Sequence, residues 1–333
     1  MASQQQLKRR IGSVKNTRQI TKAMELVSAS KMRKAQEGAM KGREYAALSQ
    51  QILSRLRELT DVSKHPLFDV REAPKARLHI VVTSDRGLAG AYNANVLKQF
   101  ASEVRADRDD GLTSYVIAIG RQGGTFAGKV ENVQSLAAYT DFPEHPTAND
   151  LRPILDTVIS AFIKGAKRPE EDQDKEVDFG SFYEPKEKEA EIPEPVPASE
   201  EELTELHVPG VDFVDIIYTD YKSSILQEVK STRLLPAAFT DVVIEADLEQ
   251  ATFEPSTGAV LESVTQRLVE VQLYQALLES MASEQSARMM AMKNASDNAN
   301  DIIGDLTLAF NTARQAAITQ ELAEITGGAE AIK

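Results

Sequence analysis

Residues 7–35 read LKRRIGSVKNTRQITKAMELVSASKMRKA, and the periodicity of this stretch decides the fold. Apolar side chains recur at Leu7, Ile11, Val14, Ile20, Met24 and Val27, and again at Tyr45, Leu48, Ile52, Leu56 and Leu59. Steps of three and four mark one face of a helix. No proline precedes Pro66, and Gly12, Gly38 and Gly42 mark soft places rather than ends. The spacing predicts a helix from Gln4 to Thr60, about 85 Å long at about 1.5 Å per residue. A compact domain cannot enclose it.

The far end of the chain repeats the pattern. Leu261, Val264, Leu268, Val271, Leu278, Met281, Met289, Met292, Ile302, Leu306, Phe310 and Ala313 follow steps of three, four or their sums. The residues EPSTG (254–258) precede this helix, and Gly327 with Gly328 are expected to close it after about 100 Å. Two long helices with narrow apolar stripes are best buried on each other as an antiparallel coiled coil. Ala287, Ala291, Ala295 and Ala299 would let the backbones approach. The alternative is that each helix lies on a separate partner.

Between the helices the period changes. Leu78 to Val82, Ser114 to Gly120 and Val211 to Tyr221 read as buried strands, and Ile225 to Pro236 as a more polar extended one. Helices are expected near Asn93 to Val104 and Leu151 to Gly165. This alternation predicts a central, Rossmann-like α/β domain with a largely parallel sheet. The expected fold class is α/β plus long helices, with coiled-coil helices at 1–60 and 258–333 and the α/β domain at 75–253. An insertion at 166–208 is proline-rich and carries a surplus of about ten negative charges, so it reads as solvated and mostly disordered.

Composition excludes several functions. There is no cysteine, so disulfides and thiolate chemistry are absent. His65, His79, His145 and His207 are scattered and suggest no metal site. Tryptophan is absent, and no apolar run approaches the roughly 20 residues that span a bilayer. The stretch GGTFAGKV (123–130) nearly writes a phosphate-binding loop, but Val130 stands where a hydroxyl must reach Mg²⁺. A glycine-rich approach of a helix is the plainer reading. No nucleophile, acid–base pair or cofactor motif stands out, and no cofactor is expected. TSDRGLAGAYN (83–93) ends a predicted strand, where open α/β sheets bind ligands, yet a tight turn packing strand on helix explains it equally well.

The formal net charge is −13, yet from Met1 to Arg43 only Glu25 and Glu37 oppose eleven basic residues. A local surplus of about nine positive charges implies an anionic partner. Nucleic acid would predict an overall basic chain, whereas the isoelectric point is about 5.0. Acidic loops of another protein are the favoured partner. The start also has the look of an organelle presequence, but its helical pattern runs far past such a signal's length.

Three stretches together resemble the gamma subunit of F-type ATP synthase. RRIGSVKNTRQITKAMELVSASKMRKA (9–35) is similar to the family's N-terminal shaft helix, and TSDRGLAGAYN to its hallmark turn. Residues 283–329 are similar to its C-terminal helix, including the ITxExxE signature at Ile318 to Glu324. The resemblance implies a non-catalytic rotor inside a ring of three alpha and three beta subunits, gripping the epsilon subunit and the c-subunit ring. It implies no nucleic-acid partner. Lys34 and Arg86 would face the acidic lever loop of each beta subunit, with Met24 nearby. Arg314 and Gln315 would form a polar catch on a second beta loop, and Ile318 and Thr319 would run in the apolar bearing. The implied location is peripheral, on the cytoplasmic face of a bacterial inner membrane rather than in an organelle. Ala89 stands where many members carry cysteine, and the insertion lacks the cysteine pair of some photosynthetic members, which excludes a dithiol switch.

Overall fold

A computed structural model describes residues 4–59, 65–143, 146–166, 208–224, 226–237 and 256–330. Helix α1 (Gln4–Leu59) and helix α5 (Thr257–Glu330) are the two long elements, and they pair antiparallel. The pairing can be followed along the shaft. Gln4 Nε2 donates to the Ala313 carbonyl at 3.4 Å, Arg18 Nη1 to Asn300 Oδ1 at 3.1 Å, and Gly38 faces Leu278. At Gly42 a Cβ would meet the tip of the Gln275 side chain, so the glycine makes room for that amide where α5 passes.

The seam differs in one respect from the apolar count. Ile20, Val27, Leu48 and Ile302 belong to the expected stripe, yet they are exposed. Thr21 and Ser28 are buried instead, one heptad apart and in line with Leu7. Small polar residues allow tight helix contact there, which leaves neighbouring aliphatic side chains pointing outward. Gly327 also does not end α5, which continues to Glu330.

Between the long helices lie β1 (Ala76–Val82), α2 (Tyr92–Asp109), β2 (Thr113–Ile119), α3 (Arg121–Ala127), β3 (Val133–Tyr139), α4 (Ala148–Ala166), β4 (Phe213–Tyr221) and β5 (Gln227–Leu235). The sheet order is β3-β2-β1-β4-β5, parallel except for β5, which runs antiparallel to β4. Alternate residues of β1 face opposite layers. Leu78, Ile80 and Val82 pack with α4 and with Val269, Leu273 and Leu277 of α5. Val81 packs with Val96, Phe100 and Val104 of α2 and with Ala127 of α3. The shaft helix α5 is thus itself one layer of the α/β domain.

Gly123 and Gly124 lie in α3, where they let it press on Thr83, Ala118 and Ala138, as the plainer reading of GGTFAGKV expects. Helix α4 starts with the return half of a capping box: the Asp150 carboxylate accepts from Thr147 N and Oγ1, both at 2.7 Å.

The end of α4 and the start of β4 meet directly. Arg71 donates to the carbonyls of Phe162 and Val211 and pairs with Asp212 at 2.8 Å, with its guanidinium over the Phe162 ring. Val211 N closes the junction by donating to the Ala161 carbonyl at 2.9 Å. The expected acidic insertion lies, but for its end residues, outside the described residues, as do His145 and His207.

Candidate functional site

Strand β1 ends at the switch point of the sheet: its first crossover leads to β2 on one side, and the chain later returns to β4 on the other. Side chains of the following turn hold each other in a closed set. Ser84 N donates to Asn93 Oδ1 at 3.0 Å, Asn93 Nδ2 donates to Ser84 Oγ at 2.8 Å, and Ser84 Oγ donates to the Arg86 carbonyl at 2.6 Å. Asp85 accepts from Arg121 N, at the start of α3, and from Asp141 N. The backbone is thereby fixed while the Arg86 side chain stays exposed. Leu88 sits at φ +66°, an unusual conformation for a branched residue, and is exposed as well.

Helix α5 backs this turn. Arg288 is nearly buried, pairs with Glu284 at 2.7 Å, and points Nη2 at the carbonyls of Arg86 and Gly87, 3.4 Å from each. Burial raises the Glu284 carboxyl above its ordinary range, an effect only partly offset by Arg288. The Tyr92 hydroxyl shares a 2.7 Å hydrogen bond with Ser280, and burial pushes its pKa upward. Ser283 Oγ donates to the Thr219 carbonyl at 3.1 Å and Ser286 Oγ to that of Ser224 at 3.0 Å. Serines at 280, 283 and 286 thus stitch one face of the shaft to β4 and the turn after it.

A cavity of about 570 Å³ opens between the turn and the coiled coil, and both Met24 and Arg86 line it. Lys34 lies beside it, on a smaller groove that shares Val27 and Lys31 with the cavity wall. Three of the expected contact residues are therefore brought together around one belt of the shaft. The other four, Arg314, Gln315, Ile318 and Thr319, form a separate exposed group on α5, about 40 Å further along from Arg288. Thr319 Oγ1 there folds back to the Gln315 carbonyl at 2.9 Å. This second group lies past Ala313, which faces Gln4 of α1, so among the described residues it stands on α5 alone.

The sequence reading missed Arg288, Glu284, Tyr92 and the three serines. The Glu284–Arg288 spacing of four was a readable signal for a helical ion pair. The serine contacts were not readable, because their partners are backbone groups and a tyrosine hydroxyl far away in the chain. Among the described residues no cluster of His, Asp and Glu could hold a metal ion, and no helix is long and apolar enough to cross a membrane.

Comparison with known proteins agrees with this arrangement. The family model described as ATP synthase matches residues 3–332. The ATP synthase gamma chain of Stenotrophomonas maltophilia (strain R551-3) is 35% identical over 332 residues, covering 100% of both chains. That of Parafrankia sp. (strain EAN1pec) is 36% identical over 336 residues, covering 100% of this chain and 99% of its own. Two cryo-EM structures share the fold. One is the central stalk and c-ring of the Tetrahymena thermophila mitochondrial ATP synthase, with a TM-score of 0.55 and 24% identity over 83% of this chain and 99% of the other. The other is the Euglena gracilis mitochondrial ATP synthase in rotational state 3, with a TM-score of 0.56 and 16% identity over 98% and 93%. With relatives matched end to end, a shaft of two paired helices and a sheet domain built around one of them, the chain belongs to the ATP synthase gamma-chain family.

Proposed function

We propose that this chain is the central-stalk rotor of an F-type ATP synthase, coupling proton-driven rotation of a c-subunit ring to conformational cycling of the catalytic beta subunits. It makes and breaks no covalent bond itself. The coiled coil, at 1–60 and 258–333, stands inside the ring of alpha and beta subunits, while the domain at 75–253 grips the epsilon subunit and the c-ring. The complex sits on the cytoplasmic face of a bacterial inner membrane. As the shaft turns, each beta subunit meets a different face of it. A ligand or lever shifts an equilibrium only through contacts that differ between states, so an asymmetric shaft biases the three sites in turn where a symmetric one would bias none. Lys34 and Arg86, with Met24 beside them, meet the acidic lever loop of each beta subunit. Arg314 and Gln315 catch a second loop, and Ile318 and Thr319 turn in an apolar bearing.

One observation carries this reading. Beyond Ala313 helix α5 runs on without a partner helix among the described residues, with Ile318 48%, Leu322 59% and Ile325 68% exposed. A lone helix displaying large aliphatic side chains requires a sleeve, and a gamma chain's sleeve is the alpha–beta ring. The test is to remove all residues after Thr312 and purify the membrane ATPase. Weakened assembly and lowered torque with residual rotation are expected, because the coiled coil and the Arg86 belt remain. Unchanged assembly and torque would overturn the bearing. Loss of all ATPase activity in an intact complex would overturn the secondary role given to the tip, and failure of the full chain to co-purify with any membrane ATPase would overturn the whole reading.

A further inference from the structure

On the sheet face away from α5, a buried ionic cluster lies between the strands and α2. His79 of β1 is fully buried, with Nε2 2.7 Å from Asp107 Oδ2 and Nδ1 3.5 Å from Glu103 Oε2, both on α2. Arg77, two residues earlier on the same face of β1, pairs with Asp107 at 3.0 Å and approaches Asp215 of β4 at 3.5 Å. Arg233 of β5 holds Asp215 through two bonds of 2.8 and 3.0 Å. The neutral neighbours are Ser114 of β2, which donates to Asp107 at 2.9 Å, and Gln99 and Ser231, which bond Glu103. The edge of the His79 ring meets Phe100 of α2, with centroids 5.6 Å apart.

Both ring nitrogens thus face carboxylate oxygens, Nε2 in a hydrogen bond and Nδ1 at the longer distance of an ion pair. Only the imidazolium carries protons on both; either neutral tautomer would turn a lone pair toward an anion. Charge balance agrees: Arg77, Arg233 and a protonated His79 offset Glu103, Asp107 and Asp215, whereas a neutral His79 leaves an anion uncompensated in a buried site. We propose that His79 is held as an imidazolium and acts as a proton-dependent latch, seating α2 on the sheet and with it the turn that carries Arg86. The connection is direct, because α2 starts at Tyr92 and its Asn93 holds both polar groups of Ser84.

Burial is the largest single influence on His79 and disfavours its charge, but the hydrogen bonds and charges of Asp107 and Glu103 outweigh it, leaving the pKa raised. The two carboxylates are lowered despite their own burial, first by their bonds to His79. For a histidine with a raised folded-state pKa, the stabilisation is complete below the unfolded value of about 6.5 and is lost as pH rises through the folded value. The latch therefore opens on the alkaline side. Its bearing on coupling rests on the rotor reading; the latch itself does not.

Two measurements on the full chain test it. In a histidine-labelled sample, with His79→Gln identifying the signal, the His79 ring should show protons on both nitrogens near neutral pH and titrate above its ordinary value. A neutral ring at about pH 6.5, or titration at or below it, overturns the proposal. Hydrogen exchange, corrected for intrinsic rates, should show α2 losing on the order of tenfold protection between about pH 6 and about pH 9, while His79→Gln is weakly protected at both. A pH-independent α2 in the native chain, or the same pH profile in His79→Gln, would also overturn it. If the variant does not fold, the ring spectrum and the native exchange profile still decide. Neither readout involves rotation, so a failure of the rotor reading would leave both results standing.

Discussion

Arg86 separates two duties that often coincide in one residue. Its carbonyl is built into the turn, accepting from Ser84 and facing Arg288, while its side chain is exposed and has no partner among the described residues. Truncating the side chain should therefore spare the fold and remove only what the guanidinium meets elsewhere. For Arg86→Ala we expect a melting temperature within about a degree of the native chain, since surface changes of this kind stay within about 0.5 kcal/mol. The complex carrying it should lose coupling, measured as ATP made at a fixed proton-motive force. A wild-type coupling ratio would show that the exposed cation is merely solvated. At this scale the sequence was legible where charge and turn chemistry coincide, as in residues 83–93. It was silent at Arg288, whose position under the turn depends on how α5 crosses the sheet.

At the scale of elements, the join between β1, β2 and α3 is the least forgiving place. Gly120, just after β2, has φ +96°, and a Cβ there would fall within 2.8 Å of Thr83 Oγ1 and closer still to the Thr83 backbone. Thr83 in turn donates to the Ile119 carbonyl and accepts from Gly123 N. Gly120→Ala should therefore cost more than about 2 kcal/mol, combining backbone strain with a clash against main chain. The check is the chemical-denaturation midpoint of the full chain. Most elements could be read from periodicity alone: both long helices, β1, β2, β4, α2 and α4 stand where the apolar spacing places them, within a few residues. Strand β3 was missed because VQSLAAY is only half-buried at the sheet edge, without the β-branched run that marks a central strand. Ile20 and Val27 were assigned to the seam because an apolar count gives Thr21 and Ser28 no weight, although small polar residues fit closely spaced helices better. The serines of α5 escaped for a related reason: serine within a helix is neutral by propensity, and its value here comes from carbonyls more than sixty residues away.

Across the whole molecule, α5 is shared between shaft and domain, bonded to β4 by serines and packed on the sheet by Leu273 and Leu277. Twisting one without the other would tear buried contacts, so the two form a single lever. The same economy appears at the junction where Arg71 ties α4 to β4. Ala161, Phe162, Val211 and Asp212 are fastened to one another, so the described chain on either side of residues 167–207 is already held together. We expect that stretch to be dispensable for the fold. Replacing it with a linker of about five residues amounts to three halvings of a loop of about forty, which on entropy alone favours the shortened chain by about 2 kcal/mol. We expect the excised protein to melt at the native temperature or slightly above it, and a marked fall would show that the appendage braces the core. If the excised protein keeps its melting temperature, a change in hydrolysis or ion pumping by a complex carrying it would report on the acidic stretch itself and not on a damaged scaffold, so that the electrostatics of the molecule could be altered apart from its mechanics.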